Sequence, residues 1–267
     1  MKIKTFLSEY INTLQTKGRY TFTGEEALAT LRITPDAFKL AALRLIKKKN
    51  LVRLKHGFYL IVPTEYQEIG APPVAWFIDY LMKYNQQPYY VGLLSAAALH
   101  GAAHQQPQTF QVVTDKPIRP MQIGRGRIEF FTKKQINPSN YQLIKTPTGY
   151  MSVSTPEVTA FDLVRYAKSV GHLNLVATVL SELQEKFDAA RFSTLLQSEN
   201  LEVPCVQRLG YLLQLVEADK KIIRLLQQWI KNQRPRFVPL RPDKTYEQSQ
   251  KDIDWLLYIN QIIESDI

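Results

Sequence analysis

The apolar residues of this chain change period at Leu51, and that change limits what its first 63 residues can form. Before it they recur every three or four positions, as on the buried stripe of a helix. Ile3, Leu7, Tyr10, Ile11 and Leu14 make one such stripe, which Lys17-Gly18 closes. Thr23-Gly24-Glu25-Glu26 opens a second, short helix, because Thr23 and Glu26 can cap each other's backbone N–H groups. Ala27, Leu28 and Leu31 face inward on it. After a tight link at Arg32-Ile33, Thr34-Pro35-Asp36 starts a third helix with Phe38, Ala41, Ala42, Leu45 and Ile46 on one face. From Leu51 the pattern is strand-like. Leu51–Leu54 and Phe58–Val62 are joined by Lys55-His56-Gly57, where Gly57 is free to take a positive φ.

Charge follows the same division. Residues 1–63 hold 12 Lys or Arg and 4 Asp or Glu, a net of +8, out of +10 for all 267 residues. Two helices joined tightly and followed by a basic hairpin describe a winged helix-turn-helix, and such a basic module attracts a duplex phosphate backbone. The second helix of such a pair fits the major groove. The candidate DNA-binding residues are Thr34, Lys39, Arg44, Lys47 and Lys48 from the third helix, and Arg53, Lys55 and His56 from the wing. Arg44 is placed to read guanine, whose two acceptors a guanidinium can bond together. The lysines suit phosphates. Lys47-Lys48-Lys49 also suits the negative end of the helix dipole, a purely structural role.

The polar, proline-broken stretch 64–73 reads as a linker between a 1–63 DNA-binding domain and a 74–267 domain. In the latter, a helix carries Val74, Phe77, Ile78, Leu81 and Met82. Tyr89–Gly101 reads as a buried helix ending at Gly101. Strands are expected at Thr109–Thr114, Arg127–Thr132 and Tyr150–Ser154, and Thr155-Pro156-Glu157 opens another helix. From about residue 172 the spacing is helical, with Leu175, Val179 and Leu183 on one helix, Leu209, Leu212 and Val216 on the next, and Leu225, Leu226 and Trp229 on a third. A last helix is expected near Ile253–Ile263. The fold class is therefore α+β, an N-terminal winged helix-turn-helix followed by a larger α+β domain with a helical C-terminal end. No apolar run approaches the ~20 residues of a bilayer span, and the N-terminus lacks the features of a signal peptide. With Cys205 alone, no internal disulfide can form. These features suggest a cytoplasmic protein.

Three stretches resemble the AbiEi-type antitoxins, the antitoxin half of type IV toxin–antitoxin systems. They are the wing, Leu51–Tyr59; Leu94-Ser95-Ala96-Ala97-Ala98-Leu99-His100-Gly101 with the strand at Val112-Val113-Thr114; and Val153-Ser154-Thr155-Pro156-Glu157-Val158-Thr159-Ala160-Phe161-Asp162-Leu163. The likeness spans about the first two-thirds of the chain. It departs from the family at Val158-Thr159-Ala160, where members more often carry an arginine before the threonine and a leucine. The resemblance implies a transcriptional autorepressor that binds inverted repeats in its own operator and opposes a nucleotidyltransferase-type toxin. It does not imply a stable complex with that toxin.

No pattern for catalysis competes strongly. His100 and His104 stand at zinc-ligand spacing, but Gly101 takes the place of the catalytic glutamate, so helix-end packing is expected. Ser95 lacks the second glycine of a nucleophile elbow and reads as a packed helical serine. Gly124-Arg125-Gly126-Arg127 reads as a turn. Glu157 is explained by the start of its helix, and Asp162 by a surface position. No cofactor, metal site or enzymatic activity is expected. The alternatives are an orphan regulator without a toxin, or an enzyme subunit with its site in the second domain. The basic stretch Arg234–Arg241 ranks second to the winged helix as a functional surface.

Overall fold

The computed structural model describes residues 6–102 and 107–264. Ile3 and His104 lie outside them. The chain is mixed α+β and divides into two compact units that interleave in sequence. One holds residues 1–91 and 108–153; the other holds 92–107 and 154–267. The stretch 64–73 lies within the first unit.

The first unit begins with α1 (Leu7–Thr16), β1 (Thr21–Thr23), α2 (Gly24–Leu31) and α3 (Pro35–Lys47), followed by the hairpin β2 (Leu51–Lys55) and β3 (Phe58–Ile61). The capping box expected at α2 is present. Thr23 Oγ1 accepts from Glu26 N–H at 3.1 Å, and Glu26 Oε2 accepts from Thr23 N–H at 2.8 Å. Arg32 ends α2 in the left-handed conformation, which makes the turn into α3 tight. The strand β1 had no clear sequence signal. It pairs antiparallel with β3, giving a sheet of order β1-β3-β2. Helices and sheet close on Leu7, Ile11, Leu14, Phe22, Phe38 and Leu51. Phe22 stacks on Tyr59 at 5.4 Å between centroids, and Phe38 meets the Tyr59 ring edge-on at 5.5 Å.

The expected helix from Val74 is shorter. Val74–Trp76 form a 3-10 turn, and α4 runs only over Ile78–Tyr84. Tyr89–Gly101 is not one helix either. Tyr89–Val91 is β4, and α5 covers Leu93–Leu99. Gly92 is extended and Leu93 has φ +52°, so the helix cannot begin earlier. The aromatic and β-branched run Tyr-Tyr-Val suits a strand. A six-stranded mixed sheet completes the unit: β4, β5 (Thr109–Thr114), β6 (Met121–Ile123), β7 (Gly126–Thr132), β8 (Tyr141–Thr146) and β9 (Gly149–Ser154), in the order β6-β7-β5-β4-β9-β8. The β6–β7 turn lies against the 64–73 stretch. Arg125 N–H donates to Ile69 O at 2.9 Å, and a Cβ on Gly124 would collide with that carbonyl.

The second unit packs α5 with α6 (Pro156–Arg165), α7 (Ala167–Val170), α8 (His172–Leu183), α9 (Ala189–Ser198), α10 (Val203–Leu215) and α11 (Lys220–Lys231). Leu175 is exposed; α8 buries Val176, Val179, Leu180 and Leu183. Cys205 is buried, as expected of a core filler, and burial pushes its thiol up to about 12. The expected last helix is absent. In its place β11 (Gln250–Asp252) and β12 (Leu257–Ile259) form a small sheet with β10 (Val238–Pro239), in the order β10-β12-β11. Trp255 in the connecting turn is fully buried, anchored by Nε1–H to Gln214 Oε1 at 2.7 Å. That anchor fixes a turn where spacing alone suggested a helix. No described helix is long and apolar enough to cross a membrane.

Candidate nucleic-acid interface

The third helix owes its start to Thr34, whose Oγ1 accepts from Ala37 N–H at 3.3 Å, and to Pro35 in the first turn. One face buries Phe38 and Ala42, with Ala41, Leu45 and Ile46 half-buried beside them. The remaining circumference therefore meets solvent, and it carries Lys39, Arg44 and Lys47, with Lys48 at the C-cap. Thr34, Arg53, Lys55 and His56 are exposed as well. Among the described residues, none of the basic side chains Lys39, Arg44, Lys47, Lys48 and Arg53 is held in an ion pair. Their charge is unneutralised by the fold itself.

The hairpin does not hang free. Gly57 takes φ +74° at its turn. Lys55 Nζ donates to Asn85 Oδ1 at 2.6 Å, Tyr84 OH donates to His56 O at 2.8 Å, and the Tyr84 ring stacks on Phe58 at 4.6 Å. The hairpin tip is thus tied to the end of α4, partners some thirty residues away that no local pattern could reveal. The Lys55 side chain is partly occupied by this tie and His56 joins it through its backbone carbonyl, whereas the His56 and Arg53 side chains take no part in it. A groove of about 560 Å³ runs beside α3, and Lys39, Leu43, Lys49, Arg53 and Glu68 are among its lining residues. Lys39 and Arg53 thus line one groove, joined there by Lys49 just past the end of α3.

The residues considered for chemistry in the second unit are structural in their surroundings. Ser95 is buried on α5. His100 Nε2–H donates to Ser154 O at 2.7 Å, which fixes its tautomer because a carbonyl can only accept. Glu157 is fully buried, and its Oε1 accepts from Asp188 N–H at 2.9 Å, so it braces the start of α9 as well as its own helix. Asp162 is not at the surface as expected; it is 2% exposed, because α6 is buried on nearly all sides. Among the described residues no three His, Cys, Asp or Glu side chains cluster as metal ligands.

Burial holds the His100 imidazole below its ordinary value, against the opposing effects of the Ser154 carbonyl and the Glu157 charge. With a folded pKa below the unfolded one, near 6.5, the unfolded chain binds the proton first. The resulting stability is complete above pH ~6.5 and is lost as pH falls toward the folded value. Urea unfolding of the full chain across pH should show this loss, and His100→Gln should remove that component. An unchanged pH profile in the variant would show that His100 is not the group responsible.

The crystal structure of the RV2827C protein from Mycobacterium tuberculosis shares this fold, with a TM-score of 0.65 over 96% of this chain and 92% of that one at 14% identity. No curated protein matches the chain in sequence. Residues 90–215 match the family model of the AbiEi antitoxin C-terminal domain.

Proposed function

We propose, on the premise that residues 90–215 are an AbiEi-type antitoxin domain, that this chain is a DNA-binding antitoxin. It represses its own type IV toxin–antitoxin operon and opposes a nucleotidyltransferase-type toxin. Two of the three resembling stretches, Leu94–Gly101 and Val153–Leu163, fall inside the matched region. The DNA-binding half of the proposal rests on the part before it. There α2, α3 and the β2–β3 hairpin are read as a winged helix-turn-helix.

The observation that carries the reading is the unpaired positive face. Lys39, Arg44 and Lys47 project from α3, and Arg53 and His56 project from the hairpin, within a segment that holds +8 of the chain's +10. A face of this kind, on a helix thin enough for the major groove, is suited to neutralising phosphates and releasing counterions. Footprinting of the full chain on its own upstream region across a salt series tests the proposal. With about six phosphate contacts, log K against log salt should fall with a slope of about −5. Absence of protection, or binding indifferent to salt, would overturn the DNA-binding half. A nucleotidyltransferase reading frame adjacent to this one supports the toxin half; an adjacent region without one favours a regulator acting alone.

A further inference from the structure

The solvent face of α3 is not uniformly charged. Leu40 is 58% exposed and Leu43 is 45% exposed. Leu40 and Leu43 are three apart, Leu40 is four from Arg44, and Leu43 is four from both Lys39 and Lys47, so apolar and cationic side chains share one face. The core does not require them, since Phe38 and Ala42 already bury the opposite side. Two large leucines left in water beside three cations call for an occupant that is apolar in spots and anionic around them.

Resting on the DNA-binding reading above, we propose that Leu40 and Leu43 read thymine 5-methyl groups in the major groove. The thymine methyl is the distinctive apolar group on that groove's floor, and phosphates flank it on both sides. Lys39 and Lys47 then meet phosphates, while the leucines cover methyls. Arg44, one turn on from Leu40, reaches the paired acceptors of a neighbouring guanine. The recognised half-site accordingly combines thymine with guanine. A second copy of the chain fits this face poorly. A two-fold contact through Leu40 and Leu43 would set Lys39, Arg44 and Lys47 against their own copies.

The probe is a duplex recovered by selection with the full chain from a random-sequence library. Each thymine is replaced in turn by deoxyuridine, which removes only the 5-methyl group. At one or two positions the native chain should lose about fourfold in affinity, the worth of one buried methyl. Leu40→Ala and Leu43→Ala should lose affinity for the thymine duplex and show no further loss at the matching deoxyuridine position. Alanine at exposed helical positions favours the helix, so both variants should stay folded, as circular dichroism can check. Tight, salt-dependent binding that ignores every deoxyuridine overturns this proposal and leaves DNA binding standing. Recovery of no duplex overturns the DNA-binding reading, and this proposal with it. Variants that lose self-association in sedimentation yet keep full DNA affinity overturn the proposal in favour of a second copy as the occupant.

Discussion

The full-length chain with Lys39, Arg44 and Lys47 all replaced by alanine is expected to lose retention of its operator in a gel shift. All three side chains are exposed and outside any ion pair among the described residues, so the fold loses little when they go. On the proposed DNA-binding reading the duplex would lose three cationic contacts, and each phosphate contact removed should flatten the salt slope by about 1. Arg44→Ala alone should cost ~1–3 kcal/mol and relax preference at one base pair, since a bidentate guanine contact discriminates where a phosphate contact does not. Retention unchanged in the triple variant, with its thermal unfolding also unchanged, would take α3 out of the interface.

The largest stability loss is expected from Trp255→Ala. The indole is fully buried, its edge lies against Gly210 of α10, and its N–H is spent on Gln214. Gln207 Nε2 also donates to the Trp255 carbonyl at 2.9 Å. Removing the ring leaves a large cavity, a loss of about 3–5 kcal/mol. Gly210→Val should destabilise by about 1–3 kcal/mol from the other side, because a branched side chain there has no room. Denaturant unfolding followed by far-ultraviolet circular dichroism measures both. A cost below about 1 kcal/mol for Trp255→Ala would mean that the β10–β12 segment contributes little to the second unit.

The same tryptophan shows where the sequence could be read and where it could not. The helices and hairpin of residues 6–61 were legible because their signals are local: the Thr23–Glu26 box, Pro35 in a first turn, and Gly57 between two apolar runs. The 253–263 segment failed because its geometry is set from afar, by Gln207, Gly210 and Gln214 on α10. Tyr89–Gly101 failed for another reason. Small residues in its second half mask a strand in its first, and only the backbone at Gly92 and Leu93 separates the two. In the candidate interface the charged side chains were visible from the sequence. Leu40 and Leu43 were available too, as apolar residues off the buried stripe of α3. The tie between Lys55 and Asn85 was not, since nothing local links positions thirty residues apart.

The interleaving of the two units bears on how the protein is made. A ribosome that has released residues 1–91 has delivered the three-helix segment and its hairpin, but only one of the six strands of the large sheet. The helix α5, which belongs to the other unit, emerges before the remaining five. The first unit therefore cannot close until residue 153 is made, and α5 waits through that whole span for the helices it packs with. A transcript cut short before β9 would yield a product with a ragged sheet margin, exposed to proteases and unable to stand in for the finished molecule.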